Sequence, residues 1–255
     1  MVLVKKEMIK EIPALHLAKQ DIWDEKLPLI IFVHGFTSVK ERNLHVAYML
    51  AEKGYRVILP EALLHGERSE NLNELELTLR FWSIVKNTIH EIETIKDEMV
   101  KQGLVDSERM GLAGTSMGGI ITLGAFAKYP WIKTAVSLMG DPAYVDFAKL
   151  QINKLQKVVK ELPFTEEELQ NEFEGLKAYD PTQKLSDWNV RPLMFWHGQQ
   201  DPTVPYNSAY SFYKKLKPLY KQANVELSFH LEEKAVHVVT LYAVNETVKW
   251  FEKHL

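Results

Sequence analysis

The sequence predicts an α/β protein, in which a mostly parallel sheet is covered by helices on both faces. Short apolar runs alternate along the chain with amphipathic helical stretches, and this alternation is typical of such a sheet. The run Leu27–Val33 is continuously apolar, as expected for a strand that is buried on both faces. A chain of 255 residues is long enough for one sizeable core, so we expect a single domain over 1–255 that carries an insertion.

Each predicted element follows from a run or a spacing in the sequence. The N-terminal segment 2–17 is interpreted as two strands that are broken near Pro13. In the stretch 72–101 apolar residues recur at spacings of three and four, which predicts a helix. The other predicted elements, in chain order, are helix 40–53, strand 55–59, strand 110–113, helix 117–128, strand 132–139, strand 193–197, strand 225–231 and helix 239–254.

One segment, 142–180, departs from this alternation. It is rich in Lys and Glu, it has two helical patterns, and it contains no strand-like run. We interpret it as a helical insertion that forms a lid or cap above the C-terminal edge of the sheet, because long insertions in compact domains tend to be functional. The alternative is an enlarged surface connection that does not contact substrate.

The composition excludes several classes of function. The formal net charge is −3, so nothing favours nucleic acid or an anionic membrane as a partner. The absence of cysteine excludes disulfides, cysteine nucleophiles and thiolate metal sites. Motifs for zinc, dinucleotide or P-loop binding are incomplete or missing, so we expect neither a metal nor a cofactor. We also expect no signal peptide, no membrane span and a cytoplasmic location.

The segment Gly114-Thr115-Ser116-Met117-Gly118 has the pattern G-x-S-x-G between an apolar run and a helical run. A serine hydroxyl is a weak nucleophile, and a sharp turn from strand to helix exposes it to a base. Glycines on both sides remove Cβ atoms that would clash in such a turn. Ser116 would then lie at a helix N-terminus, which favours developing negative charge. We therefore predict that Ser116 is a nucleophile and not an incidental serine in a glycine-rich turn.

A second motif, His34-Gly35-Phe36-Thr37, directly follows the apolar strand. In such a site the oxygen of the attacked carbonyl becomes an oxyanion. It accepts one hydrogen bond from the N–H of the residue after the nucleophile, here Met117, and another from an N–H in a loop after an earlier strand. We predict the backbone N–H groups of Phe36 and Met117 as the two donors. His34 is expected to brace its loop. The polar segment 65–68 is expected at the same edge, either lining the pocket or forming an ordinary turn.

The catalytic base is expected to follow the catalytic acid in chain order. Of the nine histidines, three lie after the acid candidate Asp201, and these are His230, His237 and His254. His230 falls within a predicted strand, and His254 is the penultimate residue. His237 follows the last strand and precedes the last helix, in a loop at the catalytic edge. We therefore predict His237 as the base.

The predicted acid is Asp201, which lies in the rigid turn Asp201-Pro202-Thr203-Val204-Pro205 after the strand 193–197. Rigidity suits a carboxylate that must hold one tautomer of a histidine. Asp-Pro pairs are also common in ordinary turns. Asp141 and Asp180, each of which precedes a proline, remain alternative acids.

Together these motifs resemble the α/β-hydrolase superfamily, and within it bacterial serine esterases near the dienelactone-hydrolase and prolyl-oligopeptidase groups. The resemblance extends from about residue 27 to residue 255. One departure is Val236, because many relatives have a glycine before the catalytic histidine. The resemblance implies the α/β-hydrolase fold, with nucleophile Ser116, acid Asp201, base His237 and oxyanion donors Phe36 and Met117.

The function predicted from these residues is that of a carboxylesterase, which cleaves small to medium esters through an acyl-enzyme on Ser116 without a metal or cofactor. The partner would be a small-molecule ester or other acyl substrate. A peptidase or amidase with the same triad is one alternative, and a ligand-binding protein on a hydrolase scaffold is another. The sequence leaves the physiological substrate and a homo-oligomeric state open.

Overall fold

The computed structural model describes residues 1–159 and 161–255, and one sheet of eight strands runs through its centre. The strands are β1 Val2–Ile9, β2 Ile12–Lys19, β3 Leu27–Val33, β4 Arg56–Pro60, β5 Val105–Thr115, β6 Thr134–Leu138, β7 Leu193–Gly198 and β8 Leu227–Glu232. Their order across the sheet is β1-β2-β4-β3-β5-β6-β7-β8. β2 pairs antiparallel with both of its neighbours, and the remaining pairs are parallel.

Helices cover both faces of this sheet. The α-helices are α1 Leu44–Glu52, α2 Glu74–Leu79, α3 Phe81–Lys101, α4 Met117–Lys128, α5 Tyr144–Leu155, α6 Glu166–Lys177, α7 Tyr206–Ala223 and α8 Leu241–His254. Short 3-10 helices lie at Gln20–Ile22, Lys40–Asn43, Gly66–Arg68, Pro181–Gln183 and Leu185–Asp187. Within the described residues, no helix is both long and apolar enough to cross a membrane.

The alternating side chains of β3 show how the two layers of the core are divided. Ile31 and Val33 pack with residues of α3 and α4 on one face of the sheet. Ile30 and Phe32 pack with residues of α1 and α8 on the other face. All of these side chains are excluded from water, which is why the run reads as continuously apolar. The α/β fold class is confirmed.

Several boundaries predicted from the sequence are wrong. The strand predicted at 110–113 extends over Val105–Thr115, and two other errors have a clear physical reason. The break between the first two strands lies at Lys10, which has a positive φ of 55°, and Pro13 is the second residue of β2. Proline is accepted at the beginning of a strand because few ladder hydrogen bonds have formed there. The long helix 72–101 is divided at Arg80 into α2 and α3. An Asn73 capping box begins the exposed α2, whereas α3 begins with the buried Phe81.

No helix is predicted from the sequence for the segment that forms α7. This helix contains Pro218, a residue that usually disrupts a helix interior. Its buried face consists of Ala209, Phe212, Leu216 and Tyr220, at spacings of three and four residues. The helical signal was therefore present in the apolar spacing, although proline obscured it.

The insertion 142–180 forms α5, α6 and turns, apart from residue 160, which lies outside the described residues. Its two ends meet, because the Asp180 carboxylate accepts a hydrogen bond of 3.1 Å from Val145 N–H. Tyr144 anchors the insertion to the core by donating a hydrogen bond of 2.6 Å to the Ile120 carbonyl of α4. The insertion is therefore a helical unit whose two ends lie together, and it is attached to α4 by Tyr144 and to α3 by the bond from Trp82 Nε1 to Gln151.

Candidate active site

Ser116 occupies a sharp turn between the end of β5 and the first residue of α4. Its φ of 54° is unusual for a residue with a side chain, and such outliers cluster at functional sites. The flanking glycines make the turn possible. A Cβ at Gly114 would lie 2.4 Å from the Gly118 backbone, and a Cβ at Gly118 would lie 2.1 Å from the Val33 carbonyl oxygen. Ser116 is half-buried and presents its hydroxyl at the C-terminal edge of the sheet.

The structure brings the three predicted catalytic side chains together. His237 Nδ1 lies 2.6 Å from Asp201 Oδ2, and His237 Nε2 lies 2.8 Å from Ser116 Oγ. A carboxylate can accept hydrogen bonds but not donate them, so Nδ1 carries the proton that faces Asp201. Nε2 is then free to accept the hydroxyl proton of Ser116. This is the arrangement in which an imidazole can act as a general base on a serine.

The Asp201 carboxylate is buried and held in place on both of its oxygens. Oδ2 faces His237, and Oδ1 accepts hydrogen bonds of 2.9 Å from Thr203 N–H and of 2.9 Å from Val204 N–H. Burial on its own would raise the pKa of Asp201, but the hydrogen bonds from His237 and from these backbone groups lower it. Asp201 is therefore ionised and oriented before any substrate arrives.

His197, which is not predicted from the sequence as a site residue, packs against the Asp201 turn. It is buried at the end of β7, and its Nε2 donates a hydrogen bond of 2.8 Å to the Val204 carbonyl. Burial lowers the pKa of His197, so this ring is a neutral support for the turn. The spacing of four residues between His197 and Asp201 is the sequence signal that could have found it.

The loop that carries His237 is fastened at both ends. Glu232, the last residue of β8, accepts hydrogen bonds of 2.6 Å from Trp196 Nε1 and of 2.5 Å from Thr240 Oγ1. Within the loop, the Ala235 carbonyl accepts a hydrogen bond of 3.0 Å from Gln200 N–H. The residue before His237 is Val236 and not glycine, and these contacts show that the loop is well defined with a valine there.

The two predicted oxyanion donors lie on either side of Ser116. A Cβ at Gly35 would be 3.5 Å from Ser116 Cβ, so the loop that carries Phe36 runs directly against the serine. Within the described residues, the Phe36 N–H donates to no protein acceptor. Met117 is the first residue of α4, where a backbone N–H has no acceptor inside its own helix. Both N–H groups are thus available to an incoming oxygen.

The rival acids and bases are occupied elsewhere. Asp141 accepts hydrogen bonds from Ala143 N–H at 2.8 Å and Ser208 Oγ at 2.7 Å. Asp180 closes the insertion. Ring nitrogens of His230 lie within hydrogen-bond distance of the Ser228 and Tyr242 hydroxyl oxygens, and His254 contacts Glu226. These four residues contact other groups, whereas His237 contacts Ser116 and Asp201 contacts His237.

The chain is similar to several known proteins in sequence and in fold. The sequence matches the prolyl oligopeptidase family over residues 42–255. It is 46% identical over 255 residues to a Bacillus subtilis (strain 168) protein named "Putative esterase YitV", with 100% of both chains covered. Esterase YjfP of Escherichia coli (strain K12) is 28% identical over 255 residues, again with 100% of both chains covered. The crystal structure of TT1662 from Thermus thermophilus has the same fold, with a TM-score of 0.77 at 17% identity, covering 99% of this chain and 98% of that one.

Proposed function

Since the chain belongs to the prolyl oligopeptidase family, we propose that it is a carboxylesterase that cleaves small to medium esters through an acyl-enzyme on Ser116. The family confirms the sequence-based prediction of an α/β-hydrolase and of a serine hydrolase. The observation that carries the proposal is the continuous series of hydrogen bonds from Ser116 through His237 to Asp201. Two relatives that match over their whole length are named as esterases, which favours an ester substrate.

In the first half of the reaction His237 takes the hydroxyl proton of Ser116 while Oγ attacks the ester carbonyl carbon. The carbonyl π-electron pair moves to oxygen, and this oxyanion accepts hydrogen bonds from Phe36 N–H and Met117 N–H. Collapse of the tetrahedral intermediate breaks the bond to the alcohol, which leaves with the proton from His237. In the second half water attacks the acyl-enzyme by the same route, and the acid and free Ser116 are released.

Asp201 and the oxyanion donors act by being fixed in advance. Asp201 holds the proton on Nδ1 and stabilises the imidazolium that forms when His237 accepts the second proton. A preorganised oxyanion donor contributes about 3–4 kcal/mol to transition-state stabilisation. Because the Phe36 donor belongs to the backbone, replacing its side chain should cost less than this value.

In this proposal residues 1–255 form one catalytic domain, and the insertion 142–180 is its lid. A cavity of about 520 Å³ lies between α5, α6 and the beginning of α3. Most of its walls are apolar, as in sites that bind aliphatic groups, and they include Leu79, Trp82, Ile152, Leu169 and Phe173. Phe81 links this cavity to residues 34–37, which we call the oxyanion loop. The Phe81 ring packs 5.2 Å from the Trp82 ring and 5.3 Å from the Phe36 ring. An apolar acyl chain is the ligand that such a lid would bind.

The family name favours one other candidate function, a peptidase or amidase that uses the same three residues. Amide hydrolysis needs stronger protonation of the leaving group than ester hydrolysis does. A p-nitrophenyl ester and a p-nitroanilide with the same acyl group separate the two. Hydrolysis of the anilide at a rate comparable to that of the ester would favour the peptidase.

The proposal is tested with p-nitrophenyl esters from acetate to palmitate, using the wild type, Ser116→Ala and the matched control Ser107→Ala. Ser107 is exposed on the same strand, β5, on the N-terminal side of Ser116, so its loss should leave turnover unchanged. We expect turnover that Ser116→Ala reduces by at least about 10,000-fold. A folded wild type that hydrolyses neither esters nor anilides would favour a ligand-binding protein instead.

A further inference from the structure

The polar segment 65–68 is folded against the oxyanion loop and leads away from the end of β4. The backbone of the oxyanion loop is strained at Thr37, where φ is 58°. A positive φ is a genuine outlier for a β-branched residue, and it persists only where the surroundings impose it. Thr37 directly follows Phe36, so the strained residue lies next to the predicted oxyanion donor.

The contact that holds this strained residue comes from His65. Thr37 N–H donates a hydrogen bond of 3.0 Å to His65 Nε2, and His65 Nδ1 lies 2.9 Å from the Leu63 carbonyl oxygen. A carbonyl can only accept, so Nδ1 carries the proton and Nε2 presents its lone pair to Thr37. His65 is 3% exposed, and burial lowers its pKa, which keeps the ring neutral and the lone pair free.

A buried ion pair between Lys40 and Glu61 lies next to the oxyanion loop. Lys40 Nζ lies 2.6 Å from Glu61 Oε2, and both side chains are 1% exposed. The same carboxylate accepts a hydrogen bond of 3.1 Å from Lys40 N–H, so it fixes the chain just after the oxyanion loop. Burial on its own would raise the pKa of Glu61, but its contacts with His34 and Lys40 lower the pKa to about 2.

Gly66 provides the space in which this carboxylate lies. Its φ is 48°, and a Cβ at this position would be 2.1 Å from Glu61 Oε2. Arg68 then ties the segment to α3, because its guanidinium donates hydrogen bonds of 2.9 Å and 2.7 Å to the Glu91 carboxylate. His34 completes the support from within the loop, where its Nδ1 lies 2.8 Å from the Gly35 carbonyl oxygen.

We infer that His65 is a positioning residue for ester hydrolysis, which holds Thr37 so that the preceding Phe36 N–H points to the oxygen of the attacked carbonyl. This inference rests on the proposed esterase function. His65 acts through the backbone and touches no reacting atom. Because the oxyanion exists in the transition state and not in the bound ester, loss of this support should lower kcat and leave KM nearly unchanged.

The test compares His65→Gln with His65→Asn. The two amides differ by one methylene. Gln can place an acceptor oxygen where Nε2 lies and so keep the bond to Thr37, whereas Asn reaches the Nδ1 position and its contact with Leu63. We expect Gln to retain kcat within about 3-fold and Asn to lose about 10- to 100-fold, less than the roughly 100- to 1,000-fold cost of deleting an oxyanion donor outright.

A trifluoromethyl ketone with the same acyl group as the ester provides a second measurement. Ser116 Oγ adds to its ketone carbon to form a hemiketal, whose anionic oxygen lies between the two donors, so its affinity should fall in His65→Asn by the same factor as kcat/KM. Thermal unfolding curves of both His65 variants check that each variant is folded at the assay temperature. His254→Gln is a histidine control and should match the wild type, because His254 contacts Glu226 just before β8, at the edge of the sheet opposite the catalytic edge.

Two failures can be told apart. If the wild type hydrolyses no ester, or if Ser116→Ala retains the activity, the esterase proposal fails, and this inference fails with it. If the wild type is active and His65→Asn equals His65→Gln in kcat, or if both variants change KM and not kcat, the positioning role is overturned while the esterase stands.

Discussion

Two aspartates at the C-terminal edge of the sheet lie in almost the same kind of turn, but their pKa values are shifted in opposite directions. Asp201 follows β7 and Asp141 follows β6, each precedes a proline, and each is buried. In both, Oδ1 accepts a hydrogen bond from the N–H two residues later, Thr203 in one turn and Ala143 in the other. They differ in what lies opposite the carboxylate: Asp201 faces His237, whereas Asp141 faces a serine hydroxyl.

The pKa values of the two carboxyl groups show the consequence. Burial dominates at Asp141 and, with Asp180 and Asp146 nearby, raises its pKa to about 6. At Asp201 the hydrogen bonds from His237 and the backbone outweigh burial, and the pKa is lowered. The Asp201 turn leads into α7, whereas the Asp141 turn leads into the insertion. The same kind of Asp-Pro turn therefore holds both carboxylates. The side chain that faces the carboxylate, His237 or Ser208, decides whether it takes part in chemistry.

Replacing each carboxylate by an amide should affect activity very differently at the two positions. We expect Asp201→Asn to lower kcat by about 10,000-fold, because the amide no longer holds the Nδ1–H tautomer of His237. Asp141→Asn should retain kcat within about 3-fold, since an amide oxygen can still accept from Ala143 and Ser208 and since Asp141 is outside the triad. Steady-state kinetics on one p-nitrophenyl ester measures both. Equal losses in the two variants would contradict the distinction between them.

The second difference is in the dependence of stability on pH. A carboxyl with a raised folded pKa binds its proton more tightly in the folded state, so its contribution to stability is lost as pH rises from the unfolded value of about 4 to about 6. We expect Asp141→Asn to increase the free energy of unfolding at pH 8 by about 1–3 kcal/mol, with the gain vanishing below pH 4.

The contribution of Asp201 to stability depends on pH in the opposite direction. Its lowered pKa stabilises the fold above the unfolded value, and this stabilisation is lost as pH falls through the folded value. Urea unfolding of the wild type and both Asn variants at pH 3 and pH 8 measures these effects, because the Asp201 contribution is lost only below the unfolded value. An Asp141→Asn variant that is less stable than the wild type at pH 8 would show that the ionised carboxylate is needed there.

The smallest expected effect concerns the insertion that begins after Asp141. Ile152→Trp should fill part of the cavity between α5, α6 and α3, and so lower kcat/KM for palmitate about 3- to 10-fold relative to acetate. Asn153→Trp, on the exposed face of the same helix, is the matched control. If Ile152→Trp changes all chain lengths equally, the cavity does not bind the acyl chain.

Much of the chemistry could be predicted from the sequence because each part of it is local. The glycines around Ser116, the Asp201-Pro202 turn and the position of His237 between strand and helix are each visible within a few residues. The order of these segments along the chain then supplied the roles. The structure brings together all three side chains that this order selected.

The remaining parts depend on contacts between distant segments. Lys40 and Glu61 are 21 residues apart, and nothing in the local sequence of either indicates that they form a buried pair. His65 was visible as part of a polar segment, but its bond to Thr37 spans 28 residues. The break at Arg80 and the helix around Pro218 were missed for another reason, because local signals there conflict with the packing that decides the element.

The most direct test of the central claim is the intact mass of the protein after incubation with a fluorophosphonate, followed by peptide mapping. The reagent forms a stable bond to an activated serine and releases fluoride. We expect one adduct per chain, on Ser116, in the wild type and in Ser107→Ala, with none in Ser116→Ala and much slower labelling in His237→Ala. A folded wild type that stays unlabelled, or that carries its adduct on another residue, would contradict the assignment of Ser116 as the nucleophile.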